Sequence, residues 1–284
     1  MPFSQALSGL QKAINREVAR FFNQKIKEAD AAFERKVLNW LREYSLRKAK
    51  RIRAILVIYG YLLAGGKNRA AILKTSIFIE LIHNYLLIHD DIIDKDEMRR
   101  GKKSLHCLYG LEAAMVAGDM ASALGYKILN SAPFPVKNKV LALAKLNQTL
   151  YSTCYGQMLD LSLREKIKSG KKAGAEEVLT IYKKKTAFYT LVAPLQIGAI
   201  LAGAGDGFLK KIEKFALPLG IAFQIKDDLE DGDLENVFGF NRQKYQKMQE
   251  KLITLAQKTL REESAFPQKE KEFLLNLTEQ LKPK

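Results

Sequence analysis

A chain of 284 residues with 47% hydrophobic content is long enough to bury a substantial core, which excludes a disordered tract or a small disulfide scaffold. Lys and Arg total 47 against 31 Asp and Glu, a formal charge of +16 that points to anionic partners. The basic residues are scattered without an aromatic-interleaved motif, so nucleic acid is not an expected partner, whereas phosphorylated small molecules and transient contact with an anionic membrane surface both fit.

Cys107 and Cys154 form neither a CxxC pair nor a disulfide framework, so a reducing, cytoplasmic setting is expected. Met1 to Lys12 lacks the apolar run of a leader. The apolar stretches Ala54–Ala64 and Leu191–Ala204 are too short or too interrupted to span a bilayer.

Taken in order, Ser4–Asp30 reads as an amphipathic helix, its stripe formed by Leu7, Leu10, Ile14, Val18, Phe21, Phe22 and Ile26. Ala31–Tyr44 continues with helical spacing, and neither segment carries chemistry beyond packing or subunit contact. The basic run Arg47–Arg53 leads directly into the apolar segment from Ala54. If that start is helical, Lys50 and Arg53 share one face while Arg51 points elsewhere. Gly65-Gly66 ends this element, and a long helix follows from about Asn68 to Glu97.

That helix holds Asp90, Asp91, Asp94, Asp96 and Glu97, followed by Arg99 and Arg100. Asp90 and Asp94 are one turn apart on one face, an unfavourable pairing unless a cation sits between them. Mg²⁺ fits, because it takes a few carboxylate oxygens and keeps other positions for water or phosphate. The arginine forks suit phosphate oxygens. His83 and His89 lie on different helix faces and have no third ligand at zinc-type spacing, so a zinc site is not expected.

Gly101–Ser104 reads as a loop, Leu111–Asn130 as an apolar helix, and Pro133 and Pro135 mark a break. Lys137–Lys168 is helical and sets Gln157 and Asp160 on one face. A helix from Glu176 carries Lys183–Lys185 and Thr186, and Pro194 is expected to kink it. A further apolar helix repeats DDxxD as Asp227, Asp228 and Asp231, and Gln224 joins Asp227, Asp228 and Asp231 on one polar stripe. A lone DDxxD is usually a solvated acidic helix end. Two copies embedded in apolar sequence need a metal or a partner to offset desolvation. From Arg242 two charged amphipathic helices finish the chain, split near Pro267. No strand alternation appears, so the expected fold is all-α: a single domain over residues 1–284, with ten or more helices bundled around a central cavity.

The segments LIHNYLLIHDDIIDKDEMRRG and FQIKDDLED resemble the two aspartate-rich motifs of the trans-isoprenyl diphosphate synthases, the polyprenyl synthetase family. Lys50-Arg51-Ile52-Arg53 resembles the family's basic motif, with Ala49 and Ala54 in place of its usual Gly and Pro, which predicts a more helical segment here. Lys185-Thr186 and Gly156-Gln157 with Asp160 match in the same order. The match fails after Asp231, where Lys244 and Lys247 are loose counterparts of a family lysine.

The resemblance implies a Mg²⁺-dependent prenyltransferase that joins an allylic diphosphate to isopentenyl diphosphate head to tail, working as a homodimer. Asp90, Asp91, Asp94, Asp227, Asp228 and Asp231 would hold metal. Lys50, Arg53, His83 and Arg100 would hold isopentenyl diphosphate. Arg99 and Lys185 would face the departing diphosphate, with Thr186 and Gln224 near the allylic cation. The family pattern makes Tyr85 the floor of the product pocket, about 7.5 Å along the helix from Asp90. The helical wheel instead turns Leu86 or Ile79 that way, with Ile82 nearby. A farnesyl or geranylgeranyl product follows. The alternatives are a non-catalytic synthase subunit, suggested by Ala49 and the short segment after Asp231, and a class I terpene synthase, whose second motif should carry Asn or Asp, Ser or Thr, and Glu rather than a second DDxxD.

Overall fold

The computed structural model describes residues 3–231 and 240–282, with Asp231 described by its backbone alone. The helices are α1 (Phe3–Glu28), α2 (Ala32–Leu46), α3 (Ile52–Leu63), α4 (Arg69–Asp94), α5 (Leu105–Tyr109), α6 (Leu111–Asn130), α7 (Val136–Lys168) and α8 (Ala175–Ile181). An 11-residue π-helix, Tyr182–Val192, then leads into α9 (Ala193–Leu201), α10 (Asp206–Asp231), α11 (Arg242–Glu262) and α12 (Gln268–Glu279). The fold is all-α. Its only strands among the described residues are β1 (Met98–Arg99) and β2 (Lys102–Lys103).

The chain divides into two compact units. One comprises Met1–Ile58 with Asn68–Pro135, the other Tyr59–Lys67 with Val136–Lys284. In the first, Phe22, Leu41, Tyr44, Phe78, Leu81 and Ile82 are almost fully buried. Each such side chain stabilises the fold by about 1.5–3 kcal/mol. Helix α6 packs along α4 through small residues: a Cβ on Gly125 would meet Ile82 Cγ1 at 2.9 Å and the Phe78 carbonyl at 3.0 Å. In the second unit, Leu163, Val178, Ile181, Tyr182, Ala187, Ile225, Leu229 and Tyr245 form one buried cluster.

Three local expectations change. Residues 47–51 are not helical, and α3 starts only at Ile52, because Arg51 adopts φ +55°. Gly101–Ser104 is half of a small hairpin rather than an open loop, with Met98 opposite Lys103 and Arg99 opposite Lys102. Its two turn residues, Arg100 (φ +55°) and Gly101 (φ +76°), both occupy the left-handed region, as a two-residue hairpin turn requires. Finally, the helix carrying Lys185 is not α throughout: its turns over Tyr182–Val192 are π, and Pro194 follows them in the first turn of α9.

Helix α4 is the one described helix long and apolar enough to cross a membrane by length and composition. Within it, 67% of the most apolar stretch is buried in the protein.

Candidate active site

In the first unit the basic segment and the end of α4 are fixed by buried polar contacts. Arg51 carries no exposed charge. Its Nε donates to Asn15 Oδ1 (2.8 Å), its Nη1 to Glu80 Oε2 (3.1 Å) and its Nη2 to the carbonyls of Ser45 (2.5 Å) and Arg47 (3.1 Å). Glu80 also accepts from the Ala54 amide at 3.3 Å, capping the start of α3. The flanking Lys50 is exposed, with its carbonyl pinned by Gln11 Nε2 at 2.9 Å, and Arg53 is half-buried. Arg53 Nη1 lies 3.0 Å from His83 Nε2. Burial first, and then the charges of Arg53 and Arg100, hold the His83 pKa well below its ordinary value. The imidazole is therefore neutral, and because a guanidinium has no acceptor, His83 Nε2 takes the hydrogen bond and Nδ1 carries the proton.

The hairpin aims Arg99 and Arg100 differently. Arg99 Nε donates to Asp91 Oδ1 (2.5 Å) and Nη2 to Asp96 Oδ2 (2.7 Å). Glu43 accepts from both Arg47 (2.8 Å) and Lys102 (2.7 Å), and Arg47 Nη1 donates to the Arg99 carbonyl (3.2 Å), which ties the hairpin to α2. Arg100, turned by its positive φ, is half-buried. Its Nη1 is buried with no hydrogen-bond partner among the described residues, and burial followed by the charge of Arg51 lowers its pKa. A buried, unpaired guanidinium nitrogen beside Arg51 and Arg53 is costly unless an anion meets it.

Of the first three aspartates, Asp90 is half-buried, Asp94 exposed and Asp91 buried. Asp91 binds Arg99 and accepts from Tyr44 Oη at 3.1 Å. Burial raises the Asp91 pKa against the pull of Arg99, and raises that of Tyr44 as well. Ile82, expected at the pocket floor, is core packed against α6. Tyr85 and Leu86 are half-buried, with the Tyr85 ring edge-on to His89 at 4.7 Å.

In the second unit, Lys185 Nζ is 2.7 Å from Asp160 Oδ2, and Asp160 is only 5% exposed. Thr186 Oγ1 donates to Gln224 Oε1 (2.7 Å), and Gln224 Nε2 donates to Asp228 Oδ1 (2.6 Å). Tyr182 Oη donates to the other oxygen of Asp228. Buried Asp228 is thus held by two donors instead of facing outward, and the Gln224 oxygen is engaged by Thr186. Asp227 is half-buried, and the Asp231 side chain lies outside the described residues. Lys244 and Lys247 are exposed on α11, where with Leu179 and Met248 they line a cavity of about 410 Å³.

Among the described residues no three His, Cys, Asp or Glu side chains converge as a metal site. Asp90 and Asp94 in the first unit, and Asp227 in the second, each suit an ion that uses one or two carboxylates and completes its shell with water and phosphate. The Arg100 nitrogen suits the phosphate. The residues present therefore fit Mg²⁺ with a diphosphate, and do not fit an all-protein cage.

Sequence reasoning missed Arg51, Glu80, Tyr44 and Tyr182 as supports of the site. An acid at position 80 inside an apolar run was the available sign, since such a carboxylate must find a partner.

An all-α chain with carboxylates at the ends of two apolar helices, and a guanidinium site beside one of them, is of the class that handles metal-bound diphosphates. The Polyprenyl synthetase family pattern matches residues 35–273, and the chain belongs to that family. A geranylgeranyl pyrophosphate synthase of Geoglobus acetivorans is 35% identical over 219 residues, 77% of this chain and 67% of that protein. A farnesyl diphosphate synthase of Buchnera aphidicola is 37% identical over 211 residues, covering 70% and 68%. Other curated relatives are matched over about half their length, 54% and 53% for two of them. The solved structure of the Geoglobus acetivorans geranylgeranyl pyrophosphate synthetase superposes with a TM-score of 0.79 at 27% identity, covering 95% of this chain and all of the other.

Proposed function

We propose that this protein is a Mg²⁺-dependent trans-prenyltransferase that condenses an allylic diphosphate with isopentenyl diphosphate to give farnesyl or geranylgeranyl diphosphate. The observation that carries the reading is the buried, unpartnered Arg100 Nη1 beside Arg53 and a neutral His83, an arrangement that wants a phosphate oxygen.

Asp90 and Asp94 of the first unit, and Asp227 of the second, would hold metal. When bound, Mg²⁺ supplies positive charge that offsets the charge gathering on the leaving diphosphate. Lys50, Arg53, Arg100 and His83 bind isopentenyl diphosphate; a neutral His83 donates from Nδ1 without adding a fourth charge. Lys185, oriented by Asp160, binds the allylic diphosphate. Arg99 keeps Asp91 turned away and adds less charge of its own, because two carboxylates already hold it. Cleavage of the allylic carbon–oxygen bond releases diphosphate and an allylic cation. The double bond of isopentenyl diphosphate attacks that cation, forming one carbon–carbon bond, and the resulting cation loses a proton to the departed diphosphate. The electrostatic groups are fixed before reaction, so they act on charge that develops only in the transition state. Thr186, Gln224 and Asp228 hold the π-helix against α10 through linked hydrogen bonds.

The protein works as a homodimer in the cytoplasm, with transient contact to anionic membrane surfaces. A non-catalytic subunit is the second reading, favoured by Ala49 in the basic motif and the short segment after Asp231. The test is incubation of the pure chain with Mg²⁺, geranyl or farnesyl diphosphate and labelled isopentenyl diphosphate. Longer diphosphates are expected. Their absence from the chain alone, with activity only after a partner is added, would establish the subunit reading instead.

A further inference from the structure

We infer that Gly156 and Gly220 are positioning residues for the allylic diphosphate site, acting through the π-helix that carries Lys185 and Thr186. The inference rests on the prenyl-transfer reading above and goes beyond it by assigning two residues that bind nothing themselves.

The π-helix is wedged between α7 and α10, and on each side the contact has the same construction. Gly156 of α7 is buried, and a Cβ built there would lie 2.5 Å from the Lys185 amide nitrogen and 2.8 Å from its Cα. One turn further along the same face, Asp160 grips the Lys185 side chain at 2.7 Å. On the other side, a Cβ on buried Gly220 of α10 would lie 2.7 Å from both Cα and Cβ of Ala187. One turn further along that face, Gln224 accepts from Thr186 at 2.7 Å, and one turn beyond that Asp228 takes the Tyr182 hydroxyl. Each flanking helix thus offers a bare backbone where the π-helix backbone approaches, and a polar side chain four residues later to fix its orientation.

Neither glycine is there for a left-handed backbone, since both lie within regular helix, where glycine costs about 1 kcal/mol against alanine. Close approach is the remaining reason for them. The colliding atoms are mostly backbone, which cannot rotate away. An added methyl must push the π-helix outward by several tenths of an ångström, enough to lengthen the Lys185–Asp160 and Thr186–Gln224 contacts. A misplacement on the order of 1 Å near reacting groups can lower the rate about a hundredfold.

Steady-state kinetics of Gly156→Ala and Gly220→Ala test the inference, with circular dichroism as the check on folding. The expected result is a rise in KM for the allylic diphosphate of about tenfold with a fall in kcat, while KM for isopentenyl diphosphate stays within about twofold. A purely structural defect reduces the active fraction and moves neither KM. The second expectation is non-additivity: in a Lys185→Ala background, Gly156→Ala should add less than about threefold, because its route of action has been removed. Equal changes in both KM values, full additivity, or failure of both variants to fold would each overturn the proposal. If the wild-type chain does not elongate a diphosphate at all, the functional reading fails first, and the two failures are told apart by that control.

Discussion

Arg51 and Arg53 are two residues apart and have opposite surroundings. Arg51 is 2% exposed and spends its donors on Asn15, Glu80 and two carbonyls, while the half-buried Arg53 meets the His83 ring. The sequence indicated that they diverge, but on the assumption of a helix. The actual cause is the positive φ of Arg51, which depends on buried acceptors supplied by α1, α2 and α4, contacts that no local pattern reveals. Because Lys50 and Arg53 are assigned to the acceptor, Lys50→Ala or Arg53→Ala should raise KM for isopentenyl diphosphate and leave that for the allylic substrate little changed; the reverse pattern would exchange the two pockets. Asp90→Ala and Asp227→Ala should each abolish turnover while circular dichroism stays helical, and near-normal turnover in either would remove it from the metal set. His83 gives a pH prediction. Its folded pKa lies well below 6.5 because of burial and then Arg53, whereas unfolding returns it to about 6.5. Below that pH the unfolded chain takes up a proton that the native chain refuses. The stability tied to neutral His83 is therefore complete above about pH 7 and falls as pH drops toward 5, by at most about 1.4 kcal/mol per pH unit. Thermal melts of wild type and His83→Asn should converge or cross between pH 7 and 5; parallel curves would show that His83 is not held neutral.

At the scale of elements, long periodic segments were legible and irregular ones were not. Leu111–Asn130 was read with the bounds that α6 has, because Gly110 before it and the Ser131–Pro135 break after it are local. The π-helix was invisible, since its wide turns come from packing against α7 and α10 and not from the Tyr182–Val192 sequence. The hairpin at Arg99–Lys103 escaped for another reason: two-residue strands are too short to show alternation. Both aspartate motifs could be found from spacing, yet only the structure divides their members. Asp91 and Asp228 face inward to Tyr44 and Tyr182, and these tyrosines lie 47 and 46 residues away in sequence. The same division bears on product length. Ile82 is sealed against Gly125 of α6, whereas Tyr85 and Leu86 are half-buried. Tyr85→Ala should lengthen the products by at least one isoprene unit, read by chromatography after dephosphorylation. Longer chains from Leu86→Ala with Tyr85→Ala unchanged would mean that the growing chain follows the Leu86 side of the helix.

For the whole molecule, two features pull in opposite directions. A formal charge of +16 opposes self-association, yet the α5–α6 region leaves Leu108 (43%), Leu111 (48%), Met115 (42%) and Val116 (58%) exposed. Four large apolar side chains within nine residues of sequence are more than a scattered apolar surface needs, and they have the character of an interface core. A stable interface buries about 800 Å² on each partner, within reach of a 20-residue helix and its flanks. The expectation is a dimer of 32.1 kDa chains with α6 at the contact. Because the chains repel, the dimer should tighten as salt rises from about 50 to 300 mM, the opposite of an interface built on ion pairs. Sedimentation equilibrium across that range measures both. Met115→Asp with Val116→Asp should shift the species to monomer by placing unpaired carboxylates in the contact, although each substitution lowers the net positive charge and would by itself reduce repulsion. A dimer that survives the double substitution would exclude α6, and a wild-type dimer that loosens with salt would mean that charge pairs, not this apolar face, hold it together.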